Sequence, residues 1–374
     1  MVLITLPVIL GMAALAVDVG MMYNTRADLQ RSADAAALAG ASAYITDTMM
    51  QVRLGKDDPG LMYEIEYMAD GRATSTSRLN PSFGTEITAV ALDDIRLGWL
   101  DVTSATSPLQ TGVLPDKCNA AEVTVRRSAE SGNGALQLMF ASIFGVHETD
   151  VTASATAVFD DRVSGFDVGD AGGAFLPFTI DKTMYEEEVV SGGDTFGYDK
   201  AMESVTAGSD GVPEVNLYPH DMTPGNFGLL NLPSSSGADA ATHKEQIENG
   251  VQPEDIEPDF GSTEVTFYDE SGDPMTHILA GNPGLESSLQ SALQARVGDV
   301  IAFLLHDQVV DVGNNTEYRV VGIRFGRLMD VKLTGNPHQT GLWIQPTIYA
   351  GDGIHVDKNA PSSGGTMGRL VLGR

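Results

Sequence analysis

The sequence predicts an α+β fold led by one long N-terminal transmembrane or stalk helix, with a mixed α+β module after it and a mostly β second domain beyond. Three observations carry this expectation. Residues 1–17 hold no charge and run straight into an alanine-rich amphipathic stretch that reaches Tyr44. Residues 46–160 mix helical and strand periodicity. Residues 174–350 carry short hydrophobic runs divided by Gly, Pro and Asn turns. At 374 residues the chain is long enough for two domains of ordinary size.

Met1–Tyr23 carries Asp18 as its only charge. As a helix it would be about 35 Å long at about 1.5 Å per residue, against a hydrocarbon core of about 30 Å. Asp18 lies near one end, where it reaches the headgroup region or pairs with a neighbouring helix. Pro7 falls in the second turn, where a membrane helix tolerates it. A cleaved signal peptide with its apolar region at Val2–Val17 calls for a basic start and a small-residue cleavage site followed by loop. Neither is seen, and the sequence continues as helix. A retained anchor is expected in preference to a cleaved signal or a buried soluble helix. Beyond it, Leu29, Ala33, Ala37, Gly40, Ala41 and Tyr44 share one side at helical spacing, with Arg26, Asp28, Arg31 and Asp34 in exposed turns. Small residues on such a seam let another backbone approach closely. The seam packs either on the protein's own globular part or on helices of other subunits. The candidate helix-interface residues are Asp18, Gly20, Leu29, Ala33, Asp34, Ala37, Gly40 and Tyr44.

The elements that follow are read in order. Residues 61–79 predict a helix with Met62, Ile65, Ala69 and Ala73 on one side, weakened by Gly71. Thr85–Leu92 and Ile95–Val102 alternate like a hairpin about Asp93-Asp94. Ala121–Arg127 and Val151–Phe159 read as strands, and Leu136, Met139, Phe140 and Ile143 as a short helix stopped by Gly145. Ser164–Gly173 reads as a linker, Thr242–Asn249 and Leu285–Val297 as helices. Val300–Val310 and Tyr318–Phe325 read as strands joined by a hairpin at Asp311–Asn315. Leu328–Leu333 and Gly341–Tyr349 add strands, and 351–374 reads as a tail or a last strand. The expected divisions are 1–45, 46–160, 174–350 and 351–374.

The chain has 51 acidic against 22 basic residues, a net charge of −29. That field disfavours nucleic acid, whose binding needs a basic patch. From Asp160 to Asp273 there are 25 acidic residues and four basic ones. This stretch reads as a solvated surface, or as acidic loops that bind a divalent cation such as Ca²⁺, although no EF-hand pattern is present. Cys118 is the single cysteine, so no intrachain disulfide forms, and the thiol reads as a small buried hydrophobe.

No phosphate-binding loop, nucleophile elbow, HExxH or paired CxxC occurs. Glu186–Glu188 reads as a solvated charge run. His220-Asp221 and His306-Asp307 read as hydrogen-bonded structural pairs in preference to general bases, and Asn314-Asn315-Thr316 as a turn. A non-enzymatic protein with no catalytic or cofactor-binding residues is expected.

Val17-Asp18-Val19-Gly20, Tyr23, Leu29-Gln30 and the run Ala33-Asp34-Ala35-Ala36-Ala37-Leu38-Ala39-Gly40-Ala41 together resemble the N-terminal segment of TadG-like Flp pilus-assembly proteins. Ile95–Asp101, Ala121–Arg126, Leu136–Gly145 and Asp150–Ala157 resemble, more loosely, blocks that follow the anchor in such proteins. The resemblance implies an exported component of a tight-adherence (Flp-type) pilus system in a bacterial cell envelope. It would be anchored in the inner membrane with its bulk periplasmic or at the cell surface. Its partners would be the lipid bilayer and other pilus-assembly or pilin-like subunits, its role pilus assembly or that of a minor pilin-like subunit. Two departures narrow this. The Asp-x-Ser-x-Ser motif of an adhesion domain is missing, Asp269–Asp273 being nearest to it, and Thr5 stands where processed type IV pilins carry Glu. The alternative expectation is an anchored adhesion or ligand-binding protein whose acidic loops use Ca²⁺.

Overall fold

The computed structural model describes residues 2–56, 58–90, 93–104, 107–171, 173–218, 225–235, 237–311, 316–335 and 340–373, with the backbone alone at 2–10, 13 and 311. Helix α1 spans Val2–Ala41, 40 residues or about 60 Å. It runs on through Pro7, Gly11 and Gly20, and Ala, the best helix former, is concentrated in its second half. A 3-10 turn at Ser42–Tyr44 ends it. The next helices are α2 (Asp47–Arg53), whose cap Thr46 accepts from the Met49 N–H at 3.2 Å, and α3 (Pro59–Leu79). Asp58 caps α3 and Pro59 opens it, where a missing N–H costs nothing. Helix α3 buries Ile65, Ala69, Ala73 and Ser77, which matches the predicted face.

The described residues form two compact units: 1–44 with 58–159 and 370–374, and 45–57 with 160–369. In the first, α1 packs on α3 and on a sheet ordered β1 (Ile95–Gly98), β2 (Ala120–Arg127), β5 (Val151–Asp160), all antiparallel. The short strands β3 (Leu136–Gln137) and β4 (Glu148–Thr149) pair with each other. The alternation read in Val151–Phe159 holds, with Val151, Ala153, Ala155 and Ala157 turned inward.

Two expectations in this unit fail. The hairpin of 85–92 with 95–102 does not form, because β1 pairs with β2. Ile87 and Ala89 are instead buried, and the Ala89 N–H and C=O bond to Ser77 and Thr74 of α3. Residues 91–92 lie outside the described set. The helix expected at 136–143 is a short strand followed by a 3-10 turn at Ala141–Phe144, stopped at Gly145 with φ 86°.

The second unit is built on a barrel. In chain order, strands β6 (Val163–Asp167) and β7 (Phe175–Asp181), helix α4 (Lys182–Ser191), the hairpin β8 (Phe196–Asp199) with β9 (Ser204–Ala207), and strands β10 (Val215–Asn216) and β11 (Phe227–Leu230) come first. Then come α5 (Ala240–Asn249), α6 (Pro253–Phe260), β12 (Glu264–Thr266), β13 (His277–Asn282), α7 (Gln290–Gln294), β14 (Val300–Asp311), β15 (Thr316–Lys332), β16 (Gly341–Pro346), β17 (Tyr349–Ala350) and β18 (Ile354–Val356). The last strand, β19 (Met367–Leu372), has residues in both units. The ring β15-β13-β11-β7-β14 returns to β15, with β7 and β14 parallel and the other pairs antiparallel. Tyr318 is fully buried, and a Cβ at Gly228 or Gly281 would meet its ring at 2.6 or 3.1 Å. Glycine at these two positions therefore lets the ring lie across the strands.

The predicted strands Val300–Val310 and Tyr318–Phe325 are present, but β15 runs on through 328–332 with a register shift at Leu328. Residues 312–315 of the turn expected at Asp311–Asn315, and the residues His220 and Asp221, lie outside the described set. Ser164–Gly173, expected as a linker, begins inside β6, which pairs with both β12 and β18. The expected tail contains β18 and β19. Strands of three to six residues between Gly and Ser offer too little periodicity to stand out in sequence. The helix expected at 285–297 narrows to a 3-10 turn and α7.

Candidate functional site

The seam of α1 is the site the sequence singled out, and the structure places its residues one by one. Leu29, Ala33, Ala37 and Tyr44 are fully buried. Gly40 faces Ala73 of α3 and Ala121 of β2, each 3.5 Å from where its Cβ would stand. The Tyr44 hydroxyl donates to the Ala120 C=O at 3.2 Å. The small residues of the seam are thus occupied by the unit's own helix and sheet. Asp34 is half-buried and accepts from Gln30 Nε2 at 2.8 Å, and the same nitrogen donates to the Ser154 C=O. Gly20 is exposed, with open space where a Cβ would point.

Asp18 stands apart from this seam. It is 3% exposed, and its carboxylate accepts three successive backbone N–H groups, from Met139 (3.0 Å), Phe140 (2.9 Å) and Ala141 (2.6 Å). These are the free donors at the start of the Ala141–Phe144 turn. The charge on α1 therefore docks a loop of its own unit, in place of the neighbouring helix or headgroup expected for it. The chain just ahead of β3, which leads into that loop, is held by Arg127, whose guanidinium donates to the carbonyls of Gly134 (2.9 Å) and Ala135 (3.2 Å) and to Thr85 Oγ1 (3.1 Å). Neither the loop nor Arg127 was among the candidates. The available signal was the absence of charge from Ala135 to His147 in a strongly charged chain.

Of the groups considered for chemistry, His306 and Asp307 are engaged in hydrogen bonds. His306 is buried, with Nε2 2.9 Å from the Gly225 C=O and Nδ1 3.0 Å from Thr179 Oγ1. A carbonyl only accepts, so Nε2 carries the proton and Nδ1 accepts from the Thr179 hydroxyl. Burial holds His306 below the usual histidine range, and does the same to His243. Asp307 forms a two-pronged ion pair with Arg319 at 2.7 and 2.9 Å. Cys118 is buried and forms no disulfide.

Much of the acidity serves backbone. Asp194 accepts from the Asp210 and Gly211 N–H groups, Asp239 from those of Ala241 and Thr242, and Asp269 from those of Ser271 and Asp273. Glu186 and Glu187 are exposed as expected, whereas Glu188 is half-buried and accepts from the Asn216 N–H at 2.9 Å. Burial pushes Glu188 and Glu214 above the ordinary carboxylate range, against the lowering effect of the N–H groups they accept. Among the described residues no group of three or more His, Cys, Asp or Glu side chains is disposed to hold a metal ion.

A helix-led α+β unit carrying a docked loop at its apolar end, with a β-barrel unit in the same chain, is the class these features define. Residues 1–43 match the family model described as putative Flp pilus-assembly TadE/G-like. The match covers α1 and nearly all of the turn that ends it. Neither curated proteins nor solved structures give a match to the chain.

The side chains of Met1–Leu10, within the expected membrane segment, lie outside the described set. Among the described residues no helix is long and apolar enough to cross a membrane.

Proposed function

We propose that this protein is a non-enzymatic, membrane-anchored component of a tight-adherence pilus system, with its bulk exported. It acts in pilus assembly or as a minor pilin-like subunit. The family match at residues 1–43 supports involvement in Flp pilus assembly and association with the cell envelope. One observation carries the anchored reading. Beyond Asp18, α1 is built into its own unit through Leu29, Ala33 and Ala37, whereas Met12, Leu15 and Val17 ahead of it are 71%, 46% and 51% exposed. They continue an uncharged run that starts at Met1. Bare apolar side chains on one end of a helix call for an apolar surrounding, and a bilayer supplies it. The hydrogen-bonded, buried His306 and the Arg319-paired Asp307 support a role without catalysis.

The test is genetic and chemical together. A chromosomal deletion is scored for surface pili, and a photo-crosslinking residue at the exposed Tyr23 is activated in intact cells. Loss of pili on deletion, with crosslinks to an identified pilin-like or pilus-assembly subunit, is the expected result. Normal piliation in the deletion strain, or release of the protein from membranes by an alkaline wash, refutes the proposal.

A further inference from the structure

We infer that the loop Leu138–Val146 is a second, interfacial membrane contact that dips into the headgroup–acyl boundary beside α1. This rests on the anchored reading above. The loop holds no charged side chain in a chain of net charge −29. It also presents apolar groups outward: Met139 is 65% exposed, Ile143 77%, Phe144 70% and Val146 51%. Single exposed apolar residues are ordinary, but four within eight residues form a patch.

Asp18 fixes where that patch sits. Its carboxylate grips the loop at Met139–Ala141, directly after the last residue of the uncharged run, Val17. A helical Cβ tilts toward the N terminus, so the loop is drawn toward the apolar run. Gly11 and Ala14, on the same helix face as Asp18, are half-buried. Past this level the helix turns to residues suited to a membrane surface, with Tyr23 and Arg26 both exposed. The patch is thus continuous with the proposed anchor and lies at its outer end. Three N–H donors satisfy Asp18, and Asp18 satisfies the donors of the turn, so neither is left unpaired beside lipid. In a chain of net charge −29, an uncharged apolar loop adds a membrane contact that does not depend on attraction to anionic headgroups.

The test uses the full chain reconstituted in vesicles of phosphatidylethanolamine and phosphatidylglycerol. Spin labels are placed at Leu15→Cys, Phe144→Cys or Ser104→Cys on a Cys118→Ser background. Collision with oxygen, which concentrates in lipid, is compared with collision with a water-soluble nickel chelate. The label at 144 is expected to favour oxygen, as at 15, and the label at 104 to favour nickel. Adding Asp18→Asn to Phe144→Cys is expected to shift the label at 144 toward nickel by roughly tenfold in the collision ratio, on the scale of freeing one large apolar side chain from lipid. Lipid contact at 15 with water contact at 144 overturns the loop proposal and leaves the anchor standing. Water contact at 15 overturns the anchor itself. Protection of 144 from both reagents overturns the lipid assignment in favour of a protein surface.

Discussion

Gly40 offers a test in which two substitutions are expected to act with opposite sign. A Cβ at this position would stand 3.5 Å from the Ala121 Cβ, 3.5 Å from the Ala73 Cβ and 3.8 Å from the Ala69 oxygen, all ordinary contacts. Gly40→Ala therefore fits without movement. It gains about 0.8–1 kcal/mol of helix propensity and up to about 0.8 kcal/mol for a buried methyl, a net rise of about 1–1.5 kcal/mol. Gly40→Leu must drive three further carbons into Ala73 and Ala121, and overpacking of that kind costs about 1–3 kcal/mol. The two tryptophans lie in different units, Trp99 in the first and Trp343 in the second. Urea unfolding of the full chain in detergent, followed by Trp99 fluorescence on a Trp343→Phe background, isolates the unit that holds Gly40. Destabilisation by alanine, or indifference to leucine, would refute the packing described. Were Gly40 reserved for another subunit, leucine would leave stability alone and block assembly.

Asp18→Asn replaces one acceptor oxygen with a donor facing three N–H groups, and amide exchange at Met139, Phe140 and Ala141 should quicken by roughly tenfold or more; unchanged protection would mean that the loop does not depend on Asp18. His243 and His306 sit below the usual histidine range because they are buried. The unfolded chain therefore takes up protons near pH ~6.5 that the folded chain refuses. Their contribution to stability is complete above that pH and is lost as the pH falls below it. The urea midpoint read from Trp343 should fall further, or rise less, between pH 7.5 and 5.5 in the native protein than in His306→Gln. The opposing effect of the raised Glu188 and Glu214 is common to both proteins; an equal change in the two would contradict the buried, neutral assignment. Tyr318→Phe removes a buried hydroxyl that donates to the Phe227 C=O at 3.1 Å. The expected cost is about 1 kcal/mol, read from the Trp343 transition, and an unchanged midpoint would show that the bond contributes nothing net.

The helix and its seam were legible because each rests on local pattern. Leu29, Ala33, Ala37 and Gly40 recur at helical spacing, and the same holds for Ile65, Ala69 and Ala73 of α3. The strand at Val151–Phe159 was legible because one of its faces is buried and the other is not. The hairpin about Asp93-Asp94 misled because its alternation was real but its partner was not local. Asp94 is held by Arg126 and by the Val90 N–H, and Ile95 is across from Val123.

Sequence alone determined the long helix, the alanine seam, the uncharged run and the match to a pilus-assembly family. These are properties of adjacent residues, where a period of 3.6 or an absence of charge is visible without a partner. Tertiary structure alone decided where the seam and Asp18 point. The seam meets α3 and β2 of its own unit, and Asp18 meets amides 121 to 123 positions away. A barrel that closes through a parallel pair between residues 175–181 and 302–306 was equally hidden. Hydrogen bonds across such separations depend on chain closure, and no window of neighbouring residues records that.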